Sequence, residues 1–164
     1  MEVRSLKFDG EVLHILDQRF LPFEAIDVEC KNEKDVWDAI NKMKIRGAPA
    51  IGVAAAYGMY IGLRDFSGDT NAFIEKAKQL KSYLDSARPT AVNLAWATER
   101  VLDKILENKD KSVEELKEIV LKEAKLIEQE DAERNFRIGE FGSELFSEGD
   151  TIMTICNTGE LATV

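Results

Sequence analysis

Three side chains in this sequence are suited to chemistry by type and by place. Arg46 opens the stretch KIRGAPAIGVAAAYG, turns through Gly47, Ala48 and Pro49, and is followed by a run with no charge as far as Leu63. Arg88 stands in the same relation to Pro89 and Thr90 at the head of RPTAVNLAWA. The first turn of a helix leaves unpaired N–H groups and a partial positive charge, and a guanidinium beside it adds a two-pronged donor for phosphate. Either arginine alone reads as readily as a surface residue or a helix-packing ion pair, and it is the repetition that points to an anion. Cys156 follows the apolar run TIMTI and precedes the polar turn NTG. The carboxyl end of a strand is where an α/β sheet binds ligands. Turn amides and a nearby arginine would lower a thiol pKa there, whereas apolar walls would raise it. The alternative for Cys156 is an inert buried cysteine, which is the reading for Cys30.

The elements that must position these groups are legible as periodicity and punctuation. Asp9-Gly10 between two β-prone runs predicts a hairpin with a type I′ turn, both central residues taking φ > 0. Asn32 predicts a helix cap, with Val36, Ala39, Ile40 and Met43 on one face and an end near Lys44. Pro49 suits a first helical turn, and Ala48 to Leu63, small and apolar on every side, predicts a helix buried all round. Phe73, Ala77, Leu80 and Leu84 form the stripe of a further helix. Pro89 is expected to open another, as Pro49 does. Ser112 with Glu115 is a capping box for a long charged helix through Val113, Leu116, Val120 and Ala124. A second helical stretch, AERNFRIGEFGSELF, leads to Gly149, after which TIMTIC predicts a short buried strand. His14 falls in a hairpin strand with no partner suggested, and Trp37 and Trp96 are expected in the core.

Composition bounds the rest. The chain has 164 residues, 45% of them hydrophobic, enough to bury a real core. With 22 Lys and Arg against 31 Asp and Glu, the net charge of -9 argues against a nucleic-acid binder, so any anion must be held locally. No apolar leader or stretch of membrane-spanning length is present, which predicts a cytoplasmic protein. Two cysteines and one histidine leave no plausible disulfide framework or zinc set, so no metal is expected.

Four blocks, LDQRFLP at 16–22, IRGAPAIGVAAAYG at 45–58, RPTAVNLAWA at 88–97 and ICNTGELAT at 155–163, resemble in order and spacing the methylthioribose-1-phosphate isomerases. The wider superfamily includes ribose-1,5-bisphosphate isomerases and the regulatory subunits of translation initiation factor 2B. The resemblance implies an α/β protein: an α+β amino-terminal domain of helices with a small antiparallel sheet over residues 1–147, then, from 148 to 164, the first strand of a Rossmann-like domain. It implies conversion of 5-methylthioribose 1-phosphate to 5-methylthioribulose 1-phosphate in methionine salvage, with no cofactor, a phosphorylated sugar as the partner, and a homodimer. By motif match Arg46, Gly47 and Ala48 contact substrate, Arg88 grips its phosphate and Cys156 is catalytic. The family's second catalytic group, an aspartate, belongs to a region not found in these residues, so this chain alone is expected to be an inactive portion. Glu160 stands where a small or apolar residue is expected. The rival readings are a regulatory phosphosugar- or nucleotide-sensing subunit of the initiation factor 2B type, and a ribose-1,5-bisphosphate isomerase.

Overall fold

The computed structural model describes residues 4–156 and 158–164. Three strands, β1 (Leu6–Phe8), β2 (Leu13–Leu16) and β3 (Asp27–Cys30), form an antiparallel sheet in sequence order. β2 alternates burial, with Leu13 and Ile15 inward, and its register sets Leu6 opposite Ile15 and Leu13 opposite Cys30. One face of the sheet is therefore apolar and faces the helices. The hairpin forms where Asp9-Gly10 predicts it but not as a two-residue turn: Phe8 pairs with Leu13, and only Gly10 has positive φ. Asp9 instead accepts from the Glu11 and Val12 amides (2.8 and 2.7 Å) and from His14 Nε2 (3.0 Å). The carboxylate builds the loop by mimicking a backbone turn. β3 carries no clean alternation and escaped the sequence reading.

Five helices follow: α1 (Glu33–Asn41), α2 (Ala48–Leu63), α3 (Thr70–Asp85), α4 (Val92–Glu107) and α5 (Val113–Ser143). α1 begins in a capping box of Asn32 with Asp35, and α5 in one of Ser112 with Glu115. α2 is the axle of the molecule. It packs against α1, α3, α4, α5 and β1, which is why it tolerates no charge and why most of its side chains are buried. The two stretches expected after Ser112 are one 31-residue helix, unbroken at Gly139 and Gly142. A glycine costs about 1 kcal/mol in a helix interior, too little to end a run already propagating on both sides. Past Asp131 this helix leaves the core, and Phe136, Ile138 and Phe141 stand exposed. Trp37 packs at the edge of the core, donating to Ser86 Oγ at 2.9 Å. Trp96 is exposed beside Arg100 rather than buried, since α4 turns that face to solvent.

The strand expected at 151–156 is absent. Thr151 to Cys156 form no ladder, and Ile152, Met153 and Ile155 are 63%, 93% and 89% exposed. A strand exists by pairing, and no described strand lies beside this one. A short 3₁₀ turn, Gly159–Leu161, follows and leads into Ala162–Val164. Among the described residues no helix is long and apolar enough to cross a membrane.

Candidate functional site

The path into α2 is fixed by three local constraints. Met43 takes φ of 58° after α1, and the Lys44 and Ile45 amides both return to the Ala39 carbonyl (2.9 and 3.3 Å). Gly47 then caps α2 with φ of 92°, a conformation that glycine adopts without penalty. Pro49 follows in the first turn, where its missing N–H leaves nothing unsatisfied. The expectation of a helix starting here, with Arg46 at its mouth, is met.

What fills that mouth came from far along the chain. The Ala50 amide donates to the Ala162 carbonyl at 3.1 Å. A Cβ on Gly47 would lie 2.4 Å from both Cα and O of Ala162, so only glycine lets the two backbones meet. Gln18, Ser5 and Asp131 complete the seat. Gln18 Nε2 donates to the Leu161 carbonyl at 2.6 Å, Ser5 Oγ donates to the Thr163 carbonyl, and Asp131 Oδ2 accepts the Val164 amide at 3.1 Å. All three are buried polar residues. Burial pushes the Asp131 carboxyl above the ordinary aspartate range, against the opposing pull of the Val164 amide, Arg134 and Asn135. The sequence reading missed this trio. Their one signal was polarity, beside apolar runs for Ser5 and Gln18 and inside a charged run for Asp131, which does not say what they bind. The turn that follows Cys156 is thereby docked onto the residues that follow Arg46, and one α2 amide that an anion was expected to use is already taken.

The second mouth differs from the first in its construction. Pro89 does not open α4. The Ala91 amide returns to the Arg88 carbonyl at 2.9 Å, so Arg88 to Ala91 form a β-turn with proline at its second position, and the helix begins at Val92. Neither α2 nor α4 has a side-chain cap. The two starts are neighbours: a Cβ on Gly52, one turn into α2, would lie 3.0 Å from the Asn93 carbonyl oxygen in the first turn of α4. Asn41, at the end of α1, donates to the Ala87 carbonyl at 3.0 Å and ties the Arg88 turn to the same corner.

Arg46 is exposed and Arg88 half-buried. Arg19, Arg64, Arg100 and Arg134 lie against carboxylates, and Arg137 lies over the Phe141 ring. Among the described residues Arg46 and Arg88 have no ion-pair partner, although acids outnumber bases. The packing ion pair weighed from the sequence is not found there. Ala48 is exposed beside Arg46.

Cys156 is exposed, with φ of 71°, rather than buried at a strand end. Asn157, the first residue of the expected NTG turn, lies outside the described residues. Glu160 is exposed in the 3₁₀ turn, so the departure at that position leaves its carboxylate in water and the turn intact. Cys30 is buried as expected, its thiol pushed up to about 12, chiefly by burial. The docked turn, β1 and α5 also wall a cavity of about 940 Å³, lined among others by Ser5, Lys125, Glu128, Asn135 and Thr163. None of Arg46, Gly47, Ala48, Arg88 or Cys156 lines it. Among the described residues no group of His, Cys, Asp or Glu is placed to hold a metal.

A small antiparallel sheet beside a helical bundle, with a turn docked on the start of α2 and the start of α4 beside it, defines an α+β domain with one polar corner. The model of the Initiation factor 2 subunit family matches residues 44–164, and the chain belongs to that family. It is 46% identical over 162 residues to a methylthioribose-1-phosphate isomerase of Acetivibrio thermocellus, covering 98% of this chain and 47% of that one. A 5-deoxyribose 1-phosphate isomerase of Bacillus cereus is 45% identical over 159 residues, 96% of this chain and 46% of the relative. The solved 5-methylthioribose 1-phosphate isomerase of Pyrococcus horikoshii OT3 superposes with a TM-score of 0.93 at 35% identity, over 99% of this chain and 46% of that one. A structure described as translation initiation factor eIF-2B, subunit delta, from A. fulgidus gives 0.87 at 43% identity, over 99% and 47%. The chain spans about half the length of the curated relatives it matches.

Proposed function

We propose that this chain is part of an aldose-ketose isomerase acting on ribose 1-phosphates that lack a free 5-hydroxyl, with 5-methylthioribose 1-phosphate as substrate and methionine salvage as its setting. The observation that carries this reading is the docking of the turn after Cys156 onto Gly47, beside the neighbouring starts of α2 and α4. Arg46 directly precedes Gly47, Arg88 heads the turn into α4, and the candidate acid-base thiol lies five residues before the docked Leu161, which supports assigning the three to one site. The names of the relatives, methylthioribose- and 5-deoxyribose-1-phosphate isomerases, share a ribose-type sugar with its phosphate on carbon 1 and differ in the substituent at carbon 5. We assign the phosphate to Arg46 and Arg88, the sugar's approach to Gly47 and the exposed Ala48, and proton transfer to Cys156.

The chemistry asks for those roles. The phosphate ester on carbon 1 fixes the ring, so opening it breaks the bond from C1 to the ring oxygen while that oxygen gains a proton. A hydrogen then passes from C2 to C1 and the C2 hydroxyl gives up its proton as the ketone forms. C2 is oxidised and C1 reduced within one molecule, so no external electron acceptor enters. An acid and a base must both be in reach. Residues 1–147 would then be the amino-terminal domain and 148–164 the start of a Rossmann-like one. Exposed Ile152, Met153 and Ile155 suit that division, since a central parallel strand is apolar on both faces. We extend the reading to a cytoplasmic homodimer.

Incubating the full-length protein of which this chain is proposed to be part with 5-methylthioribose 1-phosphate, and following the ketose by NMR, tests this reading; the 164-residue chain alone is expected to form none. Ketose formation lost on replacing Cys156 supports it. Binding of the sugar phosphate with no ketose would instead favour a sensing subunit, the reading that the likeness to the initiation factor structure supports.

A further inference from the structure

Of the block LDQRFLP only Gln18 enters the site described so far, and it bonds to the chain on both sides of it. The Gln18 backbone amide donates to the Lys44 carbonyl at 2.9 Å, two residues before Arg46, and its side-chain amide donates to the Leu161 carbonyl at 2.6 Å, five residues after Cys156. The residue is 9% exposed. It is held from behind as well. The Asp17 amide returns to the Ile26 carbonyl at 2.8 Å, and the Asp17 carboxylate takes a two-pronged bond from Arg19, Nε at 2.8 Å and Nη2 at 2.6 Å. That guanidinium keeps Asp17 charged and below the ordinary aspartate range. Gln18 is thus fixed by the sheet end and not by the groups it holds.

We propose that Gln18 is the positioning residue of the site, setting the distance between the segment that leads into Arg46 and the loop that follows Cys156. The inference rests on the isomerase reading for its consequence, though not for its geometry. Ser5 and Asp131 also hold the carboxyl-terminal turn, but at Thr163 and Val164, and no hydrogen bond joins either of them to the 44–48 segment. Ala50 meets the turn from within α2. Among these residues Gln18 alone bonds to the turn and to the chain leading into Arg46. A buried amide donor suits the task because an unpaired Leu161 carbonyl would cost more than the bond contributes.

The test replaces Gln18 by Met, which keeps length and removes the donor, with Gln18→Glu as the second variant should Met not fold. Amide exchange of Ala50 and Ala162 should quicken about five- to tenfold, the scale of one neutral hydrogen bond. The Val53 to Tyr57 amides in α2 should keep the parent rate. In the full-length protein with 5-methylthioribose 1-phosphate, turnover should fall at least as far while KM changes less than threefold, whereas Ser82→Ala, on the exposed face of α3, should leave turnover alone. Ala50 and Ala162 exchanging at the parent rate would overturn the proposal, and so would an equal quickening across α2, which would make Gln18 an ordinary stability residue. A full-length parent protein without turnover would refute the isomerase reading and not this one, because the exchange of Ala50 and Ala162 decides the coupling by itself.

Discussion

Gly47→Ala should separate the turn from the mouth of α2, and its cost follows from two terms. The first is conformational: at φ of 92° a Cβ costs about 1–2 kcal/mol. The second is steric. The new Cβ would stand 2.4 Å from the Ala162 backbone, which cannot give way as a flexible side chain would, so the turn must leave. With it go the Ala50–Ala162 and Gln18–Leu161 hydrogen bonds, about 1 kcal/mol each. The sum is about 3–4 kcal/mol, or a fall in Tm of roughly 6–16 °C for a chain of this size. Gly10→Ala is the matched control. Its φ is 110°, but nothing lies within 4 Å of the added carbon, so only the first term applies, roughly 2–8 °C. Thermal unfolding followed by circular dichroism measures both. If the two variants lose the same stability, the turn does not rest on Gly47 and the site as described is wrong.

Arg46→Ala and Arg88→Ala should each weaken binding of 5-methylthioribose 1-phosphate by about 10- to 150-fold in calorimetric titration, the range for a charge-assisted bond, with lysine recovering only part. Parent-like affinity in both variants would remove the phosphate assignment. In the full-length protein Cys156→Ser should lower turnover by about 10²-fold or more and Cys30→Ser should do little; in native protein near pH 8, iodoacetamide should label exposed Cys156 and spare buried Cys30, as mass spectrometry would show. Asp131→Asn tests the buried carboxylate. Its raised pKa means that the folded state binds the proton more tightly than the unfolded one, so its contribution to stability falls as pH rises from the ordinary aspartate value through the raised one. The amide keeps an acceptor for the Val164 N–H, so the variant should gain in Tm relative to parent at pH 7 and lose that gain near pH 3; an equal difference at both pH values would contradict the burial argument.

The local grammar of this chain was legible without a fold. Asn32, Ser112 and Pro49 announced three helix starts correctly, because a cap or a proline acts within one turn of backbone and needs nothing distant. The uncharged run from Ala48 to Leu63 showed that α2 must be the centre of the packing. Where a signal depended on a partner, the sequence misled or was silent. Pro89 resembled Pro49 but sits in a β-turn, since the same fixed φ suits both. TIMTIC has the composition of a buried strand and no strand to pair with among the described residues. Asp9-Gly10 located the hairpin but not its loop, which the Asp9 carboxylate shapes through amides and a histidine ring across the turn. The site divides in the same way. Arg46, Arg88 and Cys156 were visible because their side chains announce chemistry in any context. Gln18, Ser5 and Asp131 were not, because a buried hydrogen bond has meaning only through the group at its other end, and here those groups lie 143, 158 and 33 residues away along the chain. Sequence thus determined which residues can act, and tertiary structure decided which backbone they are held against: chain entropy makes such distant contacts invisible to local pattern until the core of α2 has brought their ends together.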